Sequence, residues 1–271
     1  MIKTKSLAIV LSICCASSLF SNENSVKLDE ITISTTNMYE TDINNVSKPV
    51  SVIDKEDILT NSPTSVIESI KNTSGVSFSR AGGLGGQLVM RGFNSNDLKI
   101  PMSINGERFR GRNTLEYNII DPSRVEKIEV IRGPAAAIYG SESMAGMINI
   151  VTKKPKVSFD KEFTFKPIIQ NMTYESVNDL RGTRIEAEGS GYGFDVQFGA
   201  SYKEANDYET PEGKALNSKF RTKSIDGSIG YSFNENSRLG FNYKISETET
   251  HRAGGLGGAP GTYAPLAQRV Y

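Results

Sequence analysis

Hydrophobic and polar positions follow two different patterns on either side of Pro155. Beyond it, apolar residues alternate with polar ones. Phe194, Val196, Phe198, Ala200 and Tyr202 fall on even numbers. Ile225, Gly227, Ile229, Tyr231 and Phe233 fall on odd numbers, as do Leu239, Phe241, Tyr243 and Ile245; Ile185, Ala187 and Gly189 make a shorter run. Successive side chains of a strand point to opposite faces. The pattern therefore predicts about five strands, at roughly 161–170, 182–189, 194–204, 222–233 and 238–248, each with one apolar and one polar face. A half-buried sheet and a transmembrane barrel wall both satisfy that description. The connections separate the two: Ser190–Gly193 and Asn234–Ser237 are short, while Asn171–Arg181 and Glu204–Arg221 are long and polar. Short turns alternating with long loops are a property of outer-membrane barrels, and a soluble meander has no reason to show them.

Before Pro155 the period keeps changing. Pro49–Ile53 reads as a strand, Asp54 as the N-cap of a helix with Asp57 in its first turn. Ser62 and Pro63 start a second helix as N-cap and N1, Val66, Ile67 and Ile70 give it an apolar face, and Gly75 stops it. Strands follow at Val76–Phe78, Leu88–Arg91, Pro101–Ile104, Lys127–Ile131 and Met147–Thr152, with a glycine loop at Arg80–Gln87 and a turn at Asn105-Gly106. Residues 48–155 thus make an α+β pattern long enough for one compact core.

The first 21 residues read as an export signal, with Lys3 and Lys5 ahead of an apolar run, Leu7–Ala16, too short to span a bilayer. Cleavage after Ala16 and cleavage after Ser21 both remain open. Leu11-Ser12-Ile13-Cys14 is similar to a lipoprotein box, but Ile13 occupies a position that wants a small residue. Both cysteines, Cys14 and Cys15, lie in this segment, so an exported chain has neither a disulfide framework nor a cysteine-held metal. No 18-residue apolar run follows that would make a membrane helix. The 31 basic residues balance the 31 acidic ones and are interspersed with them, which gives no support to nucleic-acid binding. No paired catalytic carboxylates, triad or metal cluster is legible, so the chain is not expected to be an enzyme or to carry a cofactor.

Five segments occur in a recognisable order: SVIDKEDI, VIESIKNTSGVSF, LVMRGFNSN, PMSINGERF and VEKIEVIRGP…YG…GMINIVTK. Together they resemble the plug domain of TonB-dependent outer-membrane receptors, the siderophore and haem transporter type. Asn105 stands where Asp more often precedes the glycine, a change compatible with the same turn. The resemblance implies an α+β plug domain followed by antiparallel transmembrane β-barrel strands. Domains are then expected at 1–21 (signal peptide), 22–47 (flexible leader), 48–155 (plug) and 156–271 (first barrel strands). It also implies uptake of an iron chelate across the outer membrane, most readily a ferric siderophore with haem as the alternative. The partner would be TonB with its inner-membrane energising complex. In the leader, Asp29, Glu30, Ile31, Thr32, Ile33 and Ser34 resemble the TonB box, a strand that TonB grasps by adding a strand of its own.

Site residues follow from the same resemblance. Arg108, Arg110 and Arg112 share one face of an extended segment and would receive an anionic ligand; the competing reading is a solvated loop. Arg80 and Gln87 on the glycine loop are companions. Arg91 and Arg132, each before a glycine, would hold the plug to the barrel wall. His251 is the sole histidine and a weak candidate for ligating haem iron. The sequence AGGLGG occurs at 81–86 and again at 253–258, either as two mobile loops at one mouth or by coincidence, and it matches no phosphate-binding pattern.

Plugged barrels have about 22 strands of about ten residues, roughly 220 residues of strand alone. The stretch from Lys156 to Tyr271 is about half that. The chain is therefore expected to be an N-terminal part of a longer product or of a split or truncated gene. A rival of another class is a plug-like periplasmic binding protein that does not transport, or a gene remnant.

Overall fold

The computed structural model describes residues 32–33, 41–42, 49–61, 63–95, 100–109, 118–134, 142–153, 156–211, 213–235, 237–250 and 266–270. The signal segment, Asp29–Ile31, Ser34, Arg110, Arg112, His251 and the second AGGLGG lie outside the described residues.

Two two-residue strands come first: β1 (Thr32–Ile33) pairs antiparallel with β2 (Thr41–Asp42). The α+β region then contains β3 (Val50–Asp54), helix α1 (Lys55–Asn61), β4 (Val76–Ala81), β5 (Gly85–Met90), β6 (Phe93–Asn94), β7 (Met102–Ile104), β8 (Glu107–Phe109), β9 (Val125–Arg132) and β10 (Gly146–Thr152). Strands β3-β9-β10-β7-β8 form a five-stranded mixed sheet in that order, and β4-β5-β6 a smaller antiparallel one. Helix α1 starts where Asp54 Oδ1 accepts the Asp57 N–H at 2.9 Å, the cap that the sequence predicts.

The second predicted helix is a correction. Glu68–Ile70 form a 3₁₀ turn, and the residues around them are turns and bends. Three apolar side chains on one face do not require a helix. Val66, Ile67 and Ile70 are buried all the same, in a core with Ile58, Leu88, Met90, Met102, Ile128, Val130, Ile148 and Ile150.

The Asn105-Gly106 turn has φ of 52° and 84° at its two residues. Positive φ at both positions is the two-residue hairpin geometry that Asn-Gly favours, and it joins β7 to β8. Asn105 Oδ1 also accepts the Thr152 N–H at 2.9 Å, which ties the turn to the end of β10. Beneath it, Asn149 receives Ser103 Oγ (2.7 Å) and donates to the fully buried Glu129 (3.0 Å).

The remaining strands are β11 (Thr164–Glu175), β12 (Leu180–Gly191), β13 (Phe194–Ala205), the small hairpin β14 (Glu209–Thr210) and β15 (Gly213–Lys214), β16 (Phe220–Asn234), β17 (Ser237–Thr250) and β18 (Leu266–Val270). The order β11-β12-β13-β16-β17-β18 makes one antiparallel wall. Two corrections follow. The expected loop at Asn171–Arg181 shrinks to 176–179, because β11 and β12 continue their ladder up to the pair Glu175–Leu180. A sixth strand, β18, pairs Leu266–Val270 with Ser246–Thr250, although side-chain alternation there is weak. Backbone pairing, which the alternation does not report, sets that strand.

The wall is inverted relative to a soluble sheet. Its outward side chains are apolar: Phe241 is 66% exposed and Ile229 52%, beside Phe198, Ile225, Tyr231, Phe233, Leu239 and Tyr243. Its inward side chains are polar and buried: Arg184, Glu186, Asp195, Gln197, Thr222, Ser224 and Asp226. Water would not support that arrangement, since each large apolar side chain left exposed forgoes roughly 1.5–3 kcal/mol. An apolar solvent outside removes the deficit. From Ile225 to Phe233 the apolar face of β16 covers roughly 20 Å of depth for a strand tilted about 45°, near the height of a barrel's lipid-facing band. Among the described residues, no helix is long and apolar enough to cross a membrane.

Candidate functional site at the seam between plug and wall

The sequence DPSR, just before β9, builds the site. Asp121 caps a 3₁₀ turn, Pro122–Arg124, by accepting Ser123 N–H (3.0 Å) and Ser123 O–H (2.6 Å), with Pro122 at the first position. The Arg124 carbonyl accepts the Lys153 N–H at 2.9 Å, which fixes the turn to the end of β10. This turn presents one carboxylate and one guanidinium to the inner face of the wall.

The wall answers with charges at inward positions. Arg124 Nη1 donates to Glu186 Oε1 at 2.9 Å, and Arg124 Nε lies 3.6 Å from Asp226. Arg184, 1% exposed, donates to Glu186 (3.3 Å) and to Asp226 (3.0 Å). Gln197 Nε2 adds a bond to Asp226 at 3.1 Å. Two cations and two anions therefore share a dry site, and each acid touches one cation from either side of the seam. A buried ion pair offsets its desolvation only when further hydrogen bonds accompany the charges, as that from Gln197 does here.

A second link lies alongside. Lys203 Nζ sits 3.2 Å from Asp121 and donates to the Thr64 carbonyl at 3.3 Å, while Thr64 Oγ1 donates to Glu175 at 3.2 Å. Burial alone would raise the pKa of Asp121. The Lys203 ammonium and the hydrogen bonds from Ser123 outweigh it and hold the carboxyl at about 2. Between these links is a cavity of about 10 Å³, the size of one water, lined by Asn118, Ser201 and Thr222 among others.

The residues expected from the sequence fall elsewhere. Arg132 Nη1 donates to the Ser74 carbonyl at 2.6 Å, inside the α+β region, and Arg91 extends beside Gly133. Among the described residues, plug-to-wall ion pairs are made by Arg124 and Asp121. Arg108 is exposed and forms an ion pair with Glu142. Gln87 is half-buried on β5 opposite Ser79, and Arg80 belongs to β4 opposite Gly86. Thr32 and Ile33 of the predicted TonB box are the two residues of β1. Among the described residues no group of three or more His, Cys, Asp or Glu side chains could hold a metal. The seam was missed because Arg184, Glu186 and Asp226 read only as the polar face of alternating strands. A closer signal was available: full charges recur beside Ser and Thr at inward positions of neighbouring strands, and DPSR places two more charges on a rigid turn.

A polar-lined, apolar-coated wall of six strands, joined by buried ion pairs to an α+β body, is the architecture of one side of a plugged outer-membrane β-barrel. Comparison with known proteins supplies the family. Residues 42–147 match the family model of the TonB-dependent Receptor Plug Domain. The vitamin B12 transporter BtuB of Vibrio vulnificus is 26% identical over 232 residues, 84% of this chain and 37% of that protein. The ferrichrome outer membrane transporter/phage receptor of Escherichia coli is 33% identical over 129 residues, 47% of this chain and 17% of that protein. The solved structure of the copper transporter OprC superposes with a TM-score of 0.64 at 20% identity, covering 76% of this chain and 31% of that one. The chain thus spans 17–37% of the length of these relatives. The chain carries the plug domain of the TonB-dependent receptors over residues 42–147, followed by adjoining wall strands, and its place is the outer membrane.

Proposed function

We propose that this chain serves a receptor that takes up an iron chelate, a ferric siderophore, through a barrel that its plug closes at rest. The observation that carries the reading is the inverted wall joined to the α+β body by buried ion pairs, contacts that are reversible in principle. The ligand is captured from outside by the plug apices, with Arg80, Gln87, Arg108, Arg110 and Arg112 as the cationic and polar contacts. Arg108 is already paired with Glu142, so an anionic chelate would displace that carboxylate. TonB, driven by its inner-membrane complex, grips Asp29–Ser34 and pulls, and the seam at Arg124 and Asp121 opens to let the ligand pass. Arg91 and Arg132 would make further wall contacts beyond those described. No chemistry is performed on the ligand, so the protein acts as a transporter and not an enzyme.

The iron reading draws support from the ferrichrome transporter, the more identical of the two curated relatives above. Vitamin B12 is the second ligand class, favoured by the relative that covers most of this chain. Both are tested by exposing iron-starved cells that express the receptor to labelled ferric siderophores, haem and cobalamin in parallel. Accumulation of a ferric siderophore above a receptor-deleted control supports the reading. Accumulation of cobalamin alone overturns the iron assignment, and accumulation of none of them favours a plug-like binding protein.

A further inference from the structure

The β4–β5 hairpin that carries the first AGGLGG does not end in an open loop. Its tip, residues 82–84, is buried. Leu84, 5% exposed, leaves the main core and joins a separate apolar cluster with Leu180, Ala205 and Phe220. Those three residues come from the wall: the first of β12, the last of β13 and the first of β16. They sit together at the end of the wall that bears the longer loops, where Ala205 pairs with Phe220. Next to Leu84, the backbone of Gly83 lies so close that a Cβ there would overlap the Ser218 carbonyl oxygen and the Phe220 ring. This glycine is required by close approach.

The loops around that socket are tied to one another. Asp207 accepts the N–H groups of Ser218 (2.7 Å) and Lys219 (2.9 Å), closing the β13–β16 loop on itself. Those donors outweigh the burial that would raise its pKa, and its carboxyl lies below the ordinary value. The same loop reaches its neighbour through Asn206 N–H to Asn178 O (2.8 Å) and Glu209 N–H to Val177 O (2.9 Å). Ser218 is therefore at once a member of the Asp207 closure and the residue whose carbonyl rests on Gly83.

We propose that Leu84 is a clip, seated in the socket of Leu180, Ala205 and Phe220, that couples the plug hairpin to the 206–219 loop of the wall. Loosening either side loosens the other, because a coupling free energy between two elements is reciprocal. The device would report on the plug a rearrangement of the loop, and on the loop a displacement of the plug. It depends on plug and wall being one body and not on which ligand is carried, so its test reads exchange and not uptake.

The test is amide hydrogen exchange on the receptor in detergent micelles, with three variants. Leu84→Ala empties the socket; exchange of peptides covering 206–219 should rise about tenfold or more, while β9 and β10 keep their wild-type rates. Asp207→Ala opens the loop from the other side, and exchange at the hairpin tip, 82–86, should rise reciprocally. Leu84→Met refills the socket and should restore loop protection. If Leu84→Ala speeds only the hairpin, or Asp207→Ala only the loop, the coupling does not exist. Should Leu84→Ala fail to fold, the Asp207→Ala arm decides by the same criterion.

Discussion

Replacing Arg124 with methionine removes the plug's cation from the seam and leaves its volume. Glu186 and Asp226, both buried, then retain Arg184 as their shared close cation. Losing one partner of a buried ion pair costs about 3–5 kcal/mol, because the remaining charge stays desolvated. Arg184 still serves both acids, so the low end applies: about 3 kcal/mol, or roughly a 150-fold rise in the population with the plug unseated. Amide exchange at Lys153, whose N–H is held within the plug by the Arg124 carbonyl, reads the loosening of the turn that carries Arg124 once its wall contacts are lost. The pairing itself is isolated by a double-mutant cycle with Glu186→Leu. The double variant should recover a large part of the loss, since an apolar pair of similar size replaces a buried ion pair at little cost. Lys71→Met is the control: its ion pair with Glu68 stays within the plug, so exchange at Lys153 should hardly move. A rise below about fivefold in Arg124→Met, or strict additivity in the cycle, would refute the claim that this network seats the plug.

Other consequences are as concrete. Ile229→Lys places a charge on the lipid-facing side of β16 near mid-depth and should cost about 2–4 kcal/mol in denaturant unfolding from lipid or micelles, with little effect expected for Ser→Thr at the inward Ser224. The Asp121 carboxyl titrates at about 2 in the folded chain against 3.8 ordinarily. A depressed folded pKa stabilises above the ordinary value, so about 2 kcal/mol of seam stability should be fully present above pH 4 and disappear as pH falls through 2; Asp121→Asn should abolish that acid-dependent component. Gly106→Ala meets no neighbouring atom yet must keep a φ of 84°, and should cost about 1 kcal/mol in thermal unfolding from backbone strain alone. Asn105→Ala loses the bond to Thr152 as well and should cost more than Gly106→Ala.

How far the sequence could be read depended on the range of the interaction. Local rules were sufficient for the Asp54 cap, the Asn105-Gly106 hairpin and the strands at β9 and β10, because the determining groups lie within a few residues. They failed at Ser62–Gly75, where burial of Val66, Ile67 and Ile70 was legible but helix length was not. Alternation in β13, β16 and β17 located the two faces of the wall. Which face is buried depends on the solvent, and only the packed structure displays it. Arg124 and Glu186 are 62 residues apart, and Lys203 and Thr64 are 139 apart, so nothing local announces either contact. The docking of Leu84 was hidden for a further reason: a glycine-rich tip reads as mobile unless the surface that pins it is known.

The central claim is that the receptor imports its ligand by an energised pull on the leader. The most direct test is labelled ferric siderophore uptake by cells expressing Ile31→Pro beside wild type. Proline at this position removes a backbone donor from the strand that TonB is proposed to extend and should leave surface binding intact. The account predicts normal binding of the chelate with uptake reduced to the level of a strain lacking TonB. Uptake at the wild-type rate in Ile31→Pro, or in cells without TonB, would contradict it.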